Sequence, residues 1–234
     1  MAAAIAAILA LSITGCGATD VVAKVANTSF AAIITASGDR VAWYEEDFAW
    51  GLSSSDGDQV LFSSDFARNA SSGGMADMDK PDVEFVFDAA PFIAAGLDIA
   101  RLPLIEGIKY AIEDGTFMYH FELGSDKFGP DAKSSLEATF SEIVQLQRDR
   151  IGYHEKLDHY GIKLGNGNMF EWAKDMAKND KDIVFVLNPE PFIAAGVDPS
   201  KIKGWLLAKV ETKNDAGKTI FEDKLLRPFN LNLK

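Results

Sequence analysis

The sequence predicts an α+β fold made of two tandem repeats, each an antiparallel sheet of about five strands with helices packed on one face. Three observations predict it. The chain matches itself: DVEFVFDAAPFIAAGLD at 82–98 stands against DIVFVLNPEPFIAAGVD at 182–198, with ten of seventeen positions identical at a spacing of 100. Self-similarity at a fixed period marks a duplicated unit. Apolar residues recur at helical spacing near the start of each copy, and apolar–polar alternation around Asp-Gly or Asn-Gly follows.

Upstream the match continues at a spacing of 110. Val41 to Glu45 meets Ile151 to Glu155, Trp50-Gly51-Leu52 meets Tyr160-Gly161-Ile162, and Asp56-Gly57-Asp58 meets Asn166-Gly167-Asn168. The change of spacing gives the first copy about ten extra residues, placed at 70–81. The copies then run 22–128 and 134–234, joined by a turn containing Gly129 and Pro130, and two similar domains are expected.

Each element has a local reason. Ser134 and Glu137 have the form of a capping box, and Leu136, Phe140, Ile143, Val144 and Ile151 line one side of a helix reaching about Arg148. Residues 21–36 are its counterpart, with Val22, Val25, Phe30, Ile33 and Ile34 inward. Tyr160, Ile162 and Leu164, then Asn166-Gly167, then Phe170 and Trp172 describe a hairpin, because tight turns favour residues that tolerate positive φ. Trp50, Leu52, Asp56-Gly57, Val60 and Phe62 repeat it. A short helix is expected from Asp65 and from Asp175, followed by a strand at 83–87 and at 183–187. Asp88 and Asn188 can cap the next helix, where Pro91, Pro189 and Pro191 are tolerated in the first turn, and Gly96 and Gly196 suit its left-handed end. Asp98 and Asp198 cap a further single turn. Residues 108–112 with 117–121, and 205–210 with 219–221, close each unit as hairpins.

The N-terminus carries a separate signal. Residues 2–12 are small and apolar, too short for a bilayer span and of the length of a signal-peptide core. They lead into Ile13-Thr14-Gly15-Cys16, which resembles the lipobox of bacterial lipoproteins. It departs from that pattern in having no Lys or Arg between Met1 and Cys16. The resemblance implies a signal peptide at 1–15, lipid on Cys16, a tether at 16–21 and a body outside the cytoplasm, anchored to a membrane of the cell envelope. It covers the N-terminus alone; the duplicated body resembles no family. No later segment is expected to reach transmembrane length.

Composition narrows the function. A net charge of −12 opposes a phosphate-backbone partner, so no nucleic acid is expected. Cys16 is the single cysteine, which rules out an intramolecular disulfide and a cysteine metal cluster. No phosphate loop, dinucleotide glycine motif, nucleophile elbow or zinc-protease motif occurs, and no cofactor or metal is expected. His154 and His159, five apart, lack helical metal-ligand spacing and read as surface or capping residues, as does His120. Glu45, Glu155, Asp65 and Asp175 recur in both copies; a solvated helix face accounts for the glutamates and helix caps for the aspartates.

Aromatic residues matched between the copies are the better binding candidates: Trp43 with Tyr153, Trp50 with Tyr160, and Phe62 with Trp172. Core or cross-strand pairing explains them; if exposed they would line a cleft. The expectation is a non-catalytic module that binds an unknown protein or small molecule at the seam between copies or on an aromatic sheet face. The alternatives are an envelope enzyme whose four acidic residues converge in a pocket, or a small solute-binding receptor.

Overall fold

The computed structural model describes residues 18–63, 82–123, 134–155, 157–175, 182–213 and 218–231. The first copy contains α1 (Ala18–Ser37), β1 (Val41–Tyr44), β2 (Ala49–Ser53), β3 (Gln59–Ser63), β4 (Val83–Asp88), α2 (Ala90–Ala94), β5 (Ile108–Glu113) and β6 (Thr116–Phe121). The second repeats the order as α3 (Leu136–Leu146), β7 (Ile151–His154), β8 (His159–Gly165), β9 (Asn168–Ala173), β10 (Ile183–Leu187), α4 (Glu190–Ala194), β11 (Leu206–Lys213) and β12 (Thr219–Phe229). The fold is mixed α+β with two antiparallel sheets of six strands, ordered β1-β2-β3-β4-β6-β5 and β7-β8-β9-β10-β12-β11. The two orders correspond strand for strand.

The repeat is visible down to its caps. The Asp88 carboxylate accepts from the Ala90 N–H at 2.9 Å, and the Asn188 side-chain oxygen from the Glu190 N–H at 3.1 Å. Gly96 and Gly196 both have positive φ, at 108° and 96°, the conformation that favours glycine. Asp98 and Asp198 then cap single 3-10 turns at Ile99–Arg101 and Pro199–Lys201. Asn166 and Gly167 take the paired positive φ of a tight hairpin turn. The loop with Asp56-Gly57 is longer, and the Ser54 hydroxyl accepts from the Asp56 and Asp58 N–H groups.

Several expectations are corrected. Each sheet has a sixth strand, β1 or β7, paired at the edge in register Trp43↔Trp50 and Tyr153↔Tyr160. Glu45 and Glu155 therefore stand at strand ends in turns, not on a helix, and Ile151 opens β7. The helical cap falls one residue later than expected: Ser135 Oγ accepts from the Ala138 N–H at 3.2 Å. Helix α1 begins at Ala18, inside the expected tether. By length and composition it would also pass as a membrane span, although Phe30 and Ile33 on it are fully buried in the protein core. The expected Asp65 helix and the insertion at 70–81 lie outside the described residues, as does most of the segment after Asp175.

The largest difference concerns how the copies hide their apolar sides. The sequence reading gives each its own core; the structure gives both a shared one. Helix α1 packs on α3 and against β7 and β9 of the second sheet, while α3 packs against β2 and β3 of the first. Each long helix thus covers strands of the other copy. Phe30 stacks on Phe140 with centroids 3.6 Å apart, and Phe85 stacks on Phe185 at 4.1 Å. Near Gly96 and Gly196 the backbones bond reciprocally, Asp98 N–H to the Ala195 carbonyl and Asp198 N–H to the Ala95 carbonyl, each at 2.9 Å. A Cβ on Gly96 would lie 2.7 Å from the Gly196 carbonyl oxygen, so this approach requires glycine.

Candidate ligand cavity on the second sheet

The six aromatic candidates form two cross-strand rows. Trp43 faces Trp50, which faces Phe62; Tyr153 faces Tyr160, which faces Trp172. Phe62, Tyr160 and Trp172 are buried core residues; Trp43 and Tyr153 on the edge strands and Trp50 on the strand next to one are half-buried. Trp172 donates its indole N–H to Ser29 Oγ at 2.9 Å, across the two copies. Trp43 donates to Glu45 at 2.7 Å. Tyr153 donates to Asp158, and that bond, ahead of burial, pushes its phenol up to about 12. These rows lie on the faces that meet in the shared core, so the seam between copies is filled with side chains where a cleft was expected.

The acidic candidates do not gather in a site. Glu45, Glu155 and Asp175 are exposed, and none of them lines the cavity described next. Asp65 and Cys16 lie outside the described residues. Among the described residues no group of three or more His, Cys, Asp or Glu side chains could hold a metal ion.

The opposite face of the second sheet holds a cavity of about 360 Å³, at the small end of the range typical of ligand sites. Strand alternation places its lining: with Tyr160, Ile162, Phe170 and Trp172 turned to the core, Lys163, Met169 and Glu171 must turn away. Val186 continues the row from β10, opposite Met169. The hairpin of β11 and β12 extends beyond the end of β10 and supplies Val210, Thr212, Glu222 and Lys224 to the wall.

Its polar groups are unusually enclosed. Glu171 is 2% exposed and Lys224 5%, where charged side chains are rarely buried without a partner. Lys224 has one, the Glu222 carboxylate at 2.8 Å. Glu171 lies 3.8 Å from His159 Nδ1. Burial lowers the Lys163 pKa and is the sole cause of that shift. His154 and His159, expected at the surface, are a buried cross-strand pair. Strand parity was the available signal: both histidines alternate with the core tyrosines and so share the face of Gly161 and Lys163.

The first sheet has a corresponding buried acid at another place. Glu84 on β4 lies 3.5 Å from His120 Nε2 across the pair with β6. Burial, with Asp47 adding repulsion, pushes the Glu84 carboxyl up to about 7, and burial lowers His120.

Comparison with known proteins finds no family model, no curated protein and no solved structure that matches this chain.

Proposed function

We propose that this chain is a lipid-anchored binding module of the cell envelope, held to its membrane through Cys16, with a non-catalytic cavity for a small molecule. Helices cover the core-facing side of each sheet, and the free side of the second sheet receives the ligand. The carrying observation is a divergence between the copies confined to that side. On the core face, β8 and β9 keep apolar partners for their counterparts: Tyr160 for Trp50, Ile162 for Leu52, Phe170 for Val60 and Trp172 for Phe62. On the cavity face the same strands carry His159 for Ala49, Lys163 for Ser53, Met169 for Gln59 and Glu171 for Leu61. Core packing needs volume and apolarity, and charged groups buried around a cavity serve no such need. The lipobox-like Gly15-Cys16 supports the anchor.

Two measurements test this reading. Intact mass of the protein from a bacterial membrane fraction shows a diacylated cysteine at the mature N-terminus; an unmodified Cys16 removes the anchor. A thermal-shift screen of small metabolites, run in parallel on Val210→Trp, yields at least one compound that raises Tm in the parent and not in the variant, since indole fills the cavity. A panel in which no compound discriminates the two overturns the binding reading.

A further inference from the structure

We infer that the cavity takes a zwitterion of the free amino-acid class, its carboxylate bound by Lys163 and its ammonium by Glu171. This rests on the binding reading above and specifies its ligand. Lys163 pairs in register with Met169, and Gly161 with Glu171, so Lys163 and Glu171 are diagonal neighbours on one face of β8 and β9. Side chains this long reach across such a diagonal, and opposite charges so placed ordinarily close on each other. Here they do not. Among the described residues no carboxylate lies within 4.0 Å of the Lys163 ammonium, and burial alone acts on it. The one basic side chain within that distance of Glu171 is His159, at 3.8 Å, longer than a hydrogen bond.

The other charged groups around the cavity are paired, hydrogen-bonded or at its rim: Glu211 is not without a partner, and Asp149 is exposed. Lys224 is neutralised by Glu222, and Arg150 donates to the Leu123 carbonyl at 3.3 Å. Lys163 and Glu171 are a cation and an anion, partly withdrawn from water for Lys163 and almost wholly for Glu171, that line the same space without closing on each other. A ligand carrying a single charge would satisfy one and leave the other without a counter-ion in a low-dielectric site. A ligand with both charges on neighbouring atoms satisfies the two together. Gly161 lets the side chains beside it lie close to the sheet: a Cβ there would stand 3.2 Å from Glu171 Cγ and 3.1 Å from Met169 Cε. Met169, Val186 and Val210 give the cavity an apolar wall, which suits an aliphatic side chain. The volume of about 360 Å³ admits a free amino acid.

The test is isothermal titration of the full protein with L-leucine, and with 4-methylpentanoate and 3-methylbutylamine, which each keep the chain and one of the charges. L-Leucine binds, and each analogue binds at least about tenfold more weakly. Glu171→Gln and Lys163→Met each weaken L-leucine by about tenfold or more; Glu171→Gln does not weaken 4-methylpentanoate, and Lys163→Met does not weaken 3-methylbutylamine. Lys163→Gln replaces Lys163→Met if the latter fails to give the parent circular-dichroism spectrum. Equal affinity for L-leucine and either analogue, or L-leucine binding indifferent to both variants, overturns the assignment. If L-leucine fails to bind while another compound of the screen binds the parent and not Val210→Trp, the zwitterion assignment falls and the binding module stands. If nothing in the screen binds, both fall.

Discussion

Replacing Glu84 by Gln changes the pH dependence of stability in a way the structure fixes in sign and size. Glu84 lies on β4 with 8% of its surface exposed, and its carboxyl is raised from 4.5 to about 7 in the fold, first by burial and then by Asp47. A carboxyl that holds its proton in the folded state after the unfolded chain has lost it favours folding at low pH. That contribution is fully present below about pH 4.5, declines as pH rises toward about 7, and is constant above. At about 1.36 kcal/mol per pH unit, the rise corresponds to about 3 kcal/mol lost between the two limits. His120 opposes it: its lowered pKa costs stability as pH falls through the ordinary histidine range. Both terms act in the parent, and the substitution removes the carboxyl while keeping its shape and its contact with His120. Equilibrium urea unfolding of parent and variant at about pH 4 and about pH 8 isolates the Glu84 contribution as a difference of differences. The variant gains up to about 3 kcal/mol relative to the parent on going to the higher pH. A parent-minus-variant stability that stays constant across that range refutes the argument, because the carboxyl would then have the same proton affinity in both states.

Two further predictions concern the joining of the copies. Arg227 donates to the buried Asp58 carboxylate at 2.7 Å, linking β12 to the hairpin after β2. Arg227→Met leaves that carboxylate buried without its cation and costs about 3 kcal/mol near neutral pH; the loss shrinks in acid, where Asp58 is protonated, and denaturant titrations at two pH values check both. The fragment 134–231 contains the second sheet and lacks α1, so Trp172 and Phe185 lose Ser29 and Phe85. It gives no cooperative melt as a monomer in near-UV circular dichroism, and a sharp monomeric transition would show that each copy closes its own core.

Much of the secondary structure was legible because its causes are local. The turn at Asn166-Gly167, the caps at Asp88, Asn188, Asp98 and Asp198 and the helix ends at Gly96 and Gly196 depend on φ preferences and on hydrogen bonds spanning two or three residues. Strands β1 and β7 were harder: each has four residues, too few for alternation to separate them from the end of the preceding helix. Trp43, Trp50, Phe62, Tyr153, Tyr160 and Trp172 were legible as cross-strand aromatics, and their rows are present in the sheets. The cavity was not legible. His154, His159, Lys163 and Glu171 look like ordinary polar residues until the fold, with the long hairpin of β11 and β12 beside them, withdraws them from water.

By itself the sequence determined that one unit occurs twice, where its strands, turns and caps fall, and which residues of each strand share a face. These follow from the periods of the backbone and from side-chain bonds over a few residues. Only the tertiary structure decided that each long helix covers the other copy's sheet, that the two apolar sides merge at Phe85 and Phe185, and that Lys163 and Glu171 share a cavity without pairing. An apolar face records that it must be covered and not by what, since burial is non-directional; the partner is chosen by shape, which exists once the whole chain has packed.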